Sequence, residues 1–482
     1  MVPILMLVQA VVSAAGSLLT ISFVATSVRE NAWRAAFCGA AILLLVMVLE
    51  WAMYLLYEKG VFGSGGGTLV LWFLLGVPAA LTIFLVQRTA SNPRALAGSQ
   101  GYVIGATRRF DEREQVFARN RSLPPGSGQY HEFYAYHRDW EQPDVERRAK
   151  GSVLGIPGAI DRPFEGPNMA AMNAAFAVPP YFGREESTHP KAAPGMRRIT
   201  LSPDEATLRV KGWTRHLGAD LVGVAPLNPL WVYSHRGEIF YDNWRQWGES
   251  IVVEHPYAVV FATEMDWRMV TAAPHSPSVV ESAVNYAKGA MIATQLAAYI
   301  VNLGYSATAN HSRHYDLLMV PLAVDAGLGE LGRFGYLITR EFGPRVRLFA
   351  VSTDLPLVAD KPVDIGVADF CRRCKKCASC CPSQSIPDGE PRADDGILRW
   401  KLNAETCFAY WAKTGTDCNV CMRVCPWSHP RTLAHRVIVS LVVRNRFSRR
   451  LFRMMDDLFY GPKPKPLPPP AWAGCRGMTS DE

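Results

Sequence analysis

The apolar residues of this chain crowd toward its front. From Met1 to Val28 there is no charged residue, from Ala35 to Tyr57 the only one is Glu50, and from Gly60 to Gln87 there is again none. Each run is long enough to cross a hydrocarbon layer of about 30 Å as a helix, which predicts a three-helix membrane anchor over residues 1–90. A secretory signal peptide fits less well, because no basic residue precedes the first run and two further runs follow it. Arg29 and Arg34 sit in the first loop, and Arg88, Arg94, Arg108 and Arg109 follow the third run, whereas the second loop has only Lys59 beside Glu58. Lys and Arg are retained on the cytoplasmic side, so the expectation is a multi-pass protein of the inner membrane with its amino terminus outside and its bulk cytoplasmic. The runs contain no His to hold a haem, and Glu50 reads either as a proton or quinone contact or as an interfacial carboxylate.

Behind the anchor the pattern changes. Residues 91–128 are rich in Gly, Ser, Arg and charged residues around Leu123-Pro124-Pro125-Gly126 and read as a linker. Leu221–Ala225, Ala258–Ala262, Leu317–Val324 and Val346–Ser352 are short apolar runs expected as buried strands, and Val279–Leu303 has the spacing of a long helix. Strands alternating with helices predict an α/β layered domain over 129–360. Arg431 to Met455 interleaves apolar residues with seven arginines. Such a basic amphipathic stretch can lie on an anionic membrane or pack on its own domain with a solvated basic face. We expect residues 431–482 to complete the catalytic domain. The net charge of +8 adds general membrane affinity without specificity.

The chemistry concentrates between residues 361 and 430. Cys371-x-x-Cys374-x-x-Cys377-x-x-x-Cys381-Pro382 is followed by Cys407 and by Cys418-x-x-Cys421-x-x-x-Cys425-Pro426. Three thiolates at this spacing wrap one cubane while the cysteine before the proline crosses to the other. This assigns Cys371, Cys374, Cys377 and Cys425 to one [4Fe–4S] cluster, and Cys381, Cys407, Cys418 and Cys421 to a second. Zinc sites or disulfides explain two Cys-x-x-x-Cys-Pro endings poorly. Cys407 stands far before Cys418, Cys380 is a spare thiol beside a ligand, and Cys38 and Cys475 lie away from the motif. So many free thiols suit a reducing compartment.

Gly327-x-Gly329-x-x-Gly332 has the form of a dinucleotide fingerprint. That motif needs a helix straight after it, and Phe334 to Glu341 offers barely two turns before Gly343-Pro344. A close backbone approach to some other large cofactor suits these glycines better.

Several segments, in order, carry a family resemblance: Asn228-Pro229-Leu230-Trp231-Val232-Tyr233-Ser234, Ala326-Gly327-Leu328-Gly329-Glu330-Leu331-Gly332-Arg333, Gly343-Pro344-Arg345-Val346-Arg347, Thr353-Asp354-Leu355-Pro356-Leu357, both cysteine motifs, Val424-Cys425-Pro426-Trp427 and Asp457-Leu458-Phe459-Tyr460-Gly461. From about Gln129 to Lys465 the chain resembles a corrinoid-dependent reductive dehalogenase, and it shares several of these motifs with epoxyqueuosine reductase. It departs from respiratory members, which carry a twin-arginine export signal, in having fused apolar runs; Arg108-Arg109 is followed by charged residues.

The resemblance implies a fold of mixed α+β and α/β class. Three transmembrane helices lead into an α/β corrinoid-binding, nitroreductase-like domain and then a ferredoxin-like module with two [4Fe–4S] clusters. It also implies a base-off cobamide near Gly327, Gly329 and Gly332, and the Asp-x-His-x-x-Gly motif that would give cobalt a His ligand does not occur. By the same resemblance Tyr286 is the proton donor, Arg345 stabilises its phenolate with Arg347 as second candidate, and Asn310 orients substrate or halide. The expected partners are a small organohalide, the membrane, and an electron donor such as a ferredoxin, flavoprotein or quinol-linked reductase, with no nucleic acid. An epoxyqueuosine-reductase-like enzyme acting on tRNA and a non-catalytic membrane ferredoxin subunit are the alternatives.

Overall fold

The computed structural model describes residues 2–63, 65–89, 91–149, 166–239 and 246–474; Cys475 lies outside them. The chain divides into two compact units, one of residues 1–91 and 429–467, the other of residues 92–428 and 468–482.

The first unit holds helices α1 (Val2–Arg29), α2 (Trp33–Glu58) and α3 (Gly65–Val86). Among the described residues two helices are long and apolar enough to span a membrane, Met6–Arg29 and Trp33–Glu58. The third expected run is helical, but several of its side chains are outside the described set, so two spans replace the expected three as what the structure supports. Glu50 is a contact between helices: Gln9 Nε2 donates to its Oε1 at 3.0 Å, and the Ser13 hydroxyl donates to the same oxygen. That satisfies a carboxylate which a lipid phase would otherwise penalise.

The basic segment forms two helices, Leu433–Arg444 and Arg446–Tyr460, because Asn445 breaks the run with extended backbone and caps the second helix, accepting from the N–H groups of Phe447 and Ser448. Expected to complete the catalytic domain, this segment groups instead with the apolar helices. Phe23 meets Phe459 edge-on at 5.4 Å, Arg34 Nε donates to Leu458 O at 2.8 Å, and Asn445 Nδ2 donates to Phe84 O at 2.6 Å. An apolar stripe with seven arginines opposite needs an apolar partner, and α1 and α2 supply it through Ala32, Ala35 and Phe23 around Phe459.

The core of the second unit is an antiparallel sheet of β1 (Leu221–Pro226), β2 (Tyr257–Glu264), β3 (Ala307–Asn310) and β6 (Val346–Thr353) in the order β1-β2-β6-β3. Register pairs Val222 with Phe261, Phe261 with Phe349, and Ala309 with Val351. These residues face one side and bury against the long helix Ser276–Asn302, whose Ile292, Ala293, Leu296, Ala297 and Ile300 recur at helical spacing. Ala225, Ala258, Val260 and Ala350 face the other side. Pro277 pre-organises the first turn of that helix, and Gly304 at φ +90° ends it.

Two expected elements differ. Leu317–Val324 is not a strand; Met319–Asp325 is a short helix whose Leu322, Ala323 and Val324 cover the second face, an ambiguity inherent in short apolar runs. Phe334–Glu341 is not a helix. It turns back through β4 (Glu330–Leu331) and β5 (Leu337–Ile338), a small hairpin. The expected linker is also folded. Asp325 receives the Ser99 backbone N–H at 2.7 Å and its hydroxyl at 2.6 Å, and the fully buried Arg119 pairs with Asp144 at 2.8 Å and Glu405 at 2.7 Å. Charged residues that a composition count takes as solvated are interior ion pairs here.

Candidate active site

Tyr286 projects from the middle of the long helix. Arg347 on β6 places its guanidinium carbon 5.1 Å from the centre of the Tyr286 ring, a cation–π contact. Phe349, two residues further on the same strand face, meets the ring edge-on at 6.5 Å, and Phe176 stacks at 6.1 Å. Gly289 makes this packing feasible: a Cβ there would stand 2.1 Å from the Phe349 ring. All these contacts use the ring of Tyr286, and among the described residues none is a hydrogen bond to its hydroxyl.

Arg347 is held from the other side. Its Nη2 donates to Asp417 Oδ2 at 2.9 Å and to the Ser282 hydroxyl, which itself donates to Asp417 Oδ2 at 2.6 Å. Ser282 lies one helical turn before Tyr286, so donor and clamp share a face. Asn419 Nδ2 donates to the other Asp417 oxygen at 2.7 Å. Burial opposes the charge on Arg347, but Tyr286, Asp417 and Tyr336 outweigh it and hold the pKa above the ordinary arginine value. Its Nε is buried with no hydrogen-bond partner among the described residues, a cationic donor that a substrate, halide or phenolate would satisfy.

Arg345, the first choice from sequence, is elsewhere. It is fully buried and donates to Glu264 Oε1 at 3.0 Å, Met265 O at 2.6 Å and Ser428 O at 3.1 Å. Counting residues along a strand does not separate it from Arg347; the start of β6 at Val346 does, because Arg345 turns into the backbone of the neighbouring segment. Asn310 is also kept apart. It pairs in register with Ala350 and so shares the sheet face opposite Phe349, and its side chain donates to Thr308 O at 3.1 Å and accepts the Asp316 N–H at 2.8 Å. The three glycines are explained by the chain itself. A Cβ on Gly327 would lie 2.5 Å from Lys361 O, on Gly329 2.2 Å from Ile338 O, and on Gly332 2.7 Å from Ile338 Cδ1. The close approach expected of a cofactor is made by the β4–β5 hairpin and the 361 loop.

The cysteines are arranged on short helices, Val367–Cys374, Lys376–Cys380, Ala404–Thr414 and Val420–Arg423. Glu330 orders the first, its Oε1 accepting the N–H groups of Ile365, Gly366 and Val367 at 2.6, 2.7 and 3.2 Å. Arg333, buried against Trp400, donates from Nε and Nη2 to Cys371 O. The thiols act on one another in two sets. Cys377 feels Cys371 and Cys374, and Cys425 feels Cys371, Cys374 and Cys377. Cys407 feels Cys381, Cys418 feels both of these, and Cys421 feels Cys418, Cys407 and Cys381 but also Cys377 of the first set, so the two sets adjoin. Burial pushes Cys371 and Cys418 up to about 12 and Cys407 up to about 11. Only Cys381 is held below the ordinary thiol value, its burial outweighed by the Ser383 hydroxyl and the N–H groups of Ser385, Ser383 and Ile386. Two groups of four buried or half-buried soft donors, most of them resisting ionisation alone, fit a cationic cluster that deprotonates them. Burial, with Cys421 and Cys407, raises the Tyr336 hydroxyl well above its ordinary value, and the Arg347 charge acts on the same group, so the second set and Arg347 share one electrostatic neighbour. Sequence reading missed Ser282, Asp417 and Tyr336; only the position of Asp417 beside Cys418 hinted at a role.

No family model matches the chain. The tetrachloroethene reductive dehalogenase of Sulfurospirillum multivorans is 36% identical over 296 residues, 55% of this chain and 58% of that protein. That of Desulfitobacterium hafniense is 35% identical over 282 residues, 49% and 50%. The chain thus spans about half the length of the curated relatives it matches. An epoxyqueuosine reductase of Lactococcus garvieae is more distant, 30% identical over 127 residues, 23% of this chain and 32% of that protein. Among solved structures, a variant of the catabolic reductive dehalogenase NpRdhA superposes with a TM-score of 0.58 at 28% identity, covering 74% of this chain and 47% of that one. The same enzyme in complex with 3-bromo-4-hydroxybenzoic acid gives 0.54 at 28%, over 61% and 42%. A further reductive dehalogenase structure, from which a mechanism for B12-dependent dehalogenation was suggested, gives 0.53 at 29%, again over 61% and 42%. Over about half of its length in sequence, and more widely in fold, the chain is similar to reductive dehalogenases.

Proposed function

We propose that the chain is a membrane-anchored reductive dehalogenase that replaces a carbon–halogen bond of a small organohalide by a carbon–hydrogen bond, consuming two electrons and one proton and releasing halide. The observation that carries this reading is the Arg347 guanidinium set over Tyr286, with its Nε unsatisfied, beside a module of eight thiols. A corrinoid held base-off in this unit would supply the reducing centre that breaks the carbon–halogen bond. Tyr286 delivers its hydroxyl proton to the carbon, and Arg347 stabilises the phenolate left behind. Asp417 and Ser282 keep Arg347 in place during that transfer. The two cysteine sets would hold two ferredoxin-like [4Fe–4S] clusters, which would supply single electrons from a ferredoxin, flavoprotein or quinol-linked donor. The set with Cys418 and Cys421 would be the inner one, since Cys421 and Cys407 act electrostatically on Tyr336, as Arg347 does.

A third membrane span at α3 and a cytoplasmic catalytic unit belong to this reading, following the arginine bias of the loops. The curated relatives are named for tetrachloroethene and a structural relative binds a bromohydroxybenzoate, so chlorinated ethenes and halogenated phenols are the substrate classes to assay. The test is an anaerobic assay of cobamide-reconstituted protein with a low-potential reductant against both classes, scoring halide release. Release that depends on cobamide supports the reading; none from either class, with both metals bound, overturns it.

A further inference from the structure

A second set of ligating side chains lies away from Tyr286, where the loop after β3 closes on the segment before the sheet. His311 and His314 bridge back to back, N–H of each to O of the other at 2.7 and 3.1 Å. This directs the buried His314 toward His189, at the end of the short helix Glu185–Thr188, with ring centres 5.1 Å apart at 71°. Asp316, also buried, follows two residues on, its Oδ2 3.5 Å from His314 Nε2. One donor atom from each of His189, His314 and Asp316 lies within 4.8 Å of the other two.

The surrounding hydrogen bonds prepare each ligand. The Thr188 hydroxyl has one proton, and it points at the backbone oxygens of Arg184 and Glu185 at 3.0 and 3.3 Å. With its proton on those oxygens it accepts at its 3.0 Å contact with His189 Nδ1. In that tautomer His189 carries its proton on Nδ1 and its lone pair on Nε2, the arrangement by which an outer partner orients a metal-binding imidazole. Asp316 is steadied at Oδ1 by the buried Arg236 and at its backbone N–H by Asn310, and it is its Oδ2 that stands nearer His314 Nε2. Two imidazoles and a carboxylate suit a borderline dication. Donors about 2.0–2.1 Å from a tetrahedral zinc stand about 3.4 Å apart, which His314 and Asp316 already approach.

We infer that His189, His314 and Asp316 form a zinc-type divalent cation site, distinct from the cysteine clusters, that ties the 311–316 loop to residues 185–189 and keeps a fourth position for water or a small anion. The test uses the full-length holoprotein from zinc-supplemented cells, dialysed and analysed for zinc, iron and cobalt, with zinc-edge X-ray absorption. About one zinc per chain is expected, with a nitrogen and oxygen shell at about 2.0–2.1 Å. His314→Ala should lose that zinc and keep its iron. Because His314 is buried, the half-buried His189→Gln is the second variant, expected to weaken zinc at least tenfold in chelator competition. The proposal is overturned if zinc is absent, if its shell is sulfur at about 2.3 Å from occupied cysteine sites, or if both variants retain a nitrogen and oxygen shell.

Discussion

In the proposed reaction Tyr286 on the long helix and Arg347 on β6 share one proton transfer. Tyr286→Phe keeps the ring contacts with Phe176, Phe349 and Arg347 and removes only the proton. Turnover should drop on the order of a hundredfold or more, with iron and cobalt content unchanged by metal analysis. Arg347→Met and Arg345→Met should part company. The first loses turnover to a similar extent; the second strips Glu264, Met265 O and Ser428 O of their donor and should cost about 3 kcal/mol in denaturant unfolding. Equal effects on turnover at matched cofactor content would mean the arginines are misassigned. The family resemblance points to the helix position of Tyr286, but which of two arginines two residues apart meets its ring depends on where β6 begins and on Asp417, seventy residues later.

Within the elements, the long helix owes its seat on the sheet to Gly289, whose missing Cβ is occupied by the Phe349 ring. Gly289→Ala should cost roughly 1–3 kcal/mol by overpacking and, by moving Tyr286, lower kcat more than it changes KM in the dehalogenation assay. Glu112 belongs to the stretch read as a linker. It is fully buried, and burial pushes its carboxyl up to about 7 despite Arg236 and the Gly237 N–H. With the folded pKa above the ordinary 4.5, the folded state binds the extra proton, so stability from this group is present at low pH and lost as pH rises through 7. The loss is about 3 kcal/mol across the window. Comparing urea midpoints at pH 5.5 and pH 7.5, Glu112→Gln should be visibly flatter than wild type. The same residue shows why the linker was misjudged: a segment dense in Arg and Glu looks solvated until its partners, here Arg236, Asp144 and Glu405, arrive from distant sequence. The strands β1, β2 and β6 and the long helix were legible because apolar periodicity is local. The helix at Met319–Asp325 was not, because the short apolar run Leu317–Val324 fits either conformation and only the covered sheet face decides, nor was the β4–β5 hairpin.

For the molecule as a whole, elemental analysis of reconstituted protein should give iron and cobalt near eight to one, from two four-iron clusters and one corrinoid. The division into two units makes a separate prediction. Deleting residues 1–91 alone uncovers Phe459, Met455 and Tyr460, and that protein should fractionate with detergent. Deleting 429–467 as well, with a short linker into Pro468, should release a soluble iron-bearing protein. The linker must preserve residues 468–474, because Ala473 packs with Met169 and Met172 and accepts from Asn168 Nδ2 at 3.3 Å. That return of the chain has a consequence for its manufacture. Synthesis makes α1 to α3 before the cysteine motifs and the two basic helices after them. Throughout that interval Phe23, Ala32 and Ala35 wait for Phe459, and Met169 and Met172 wait for Ala473. A nascent chain that stops between Cys425 and Phe459 carries all eight proposed cluster ligands but neither closure, and it leaves the same apolar residues uncovered at both places.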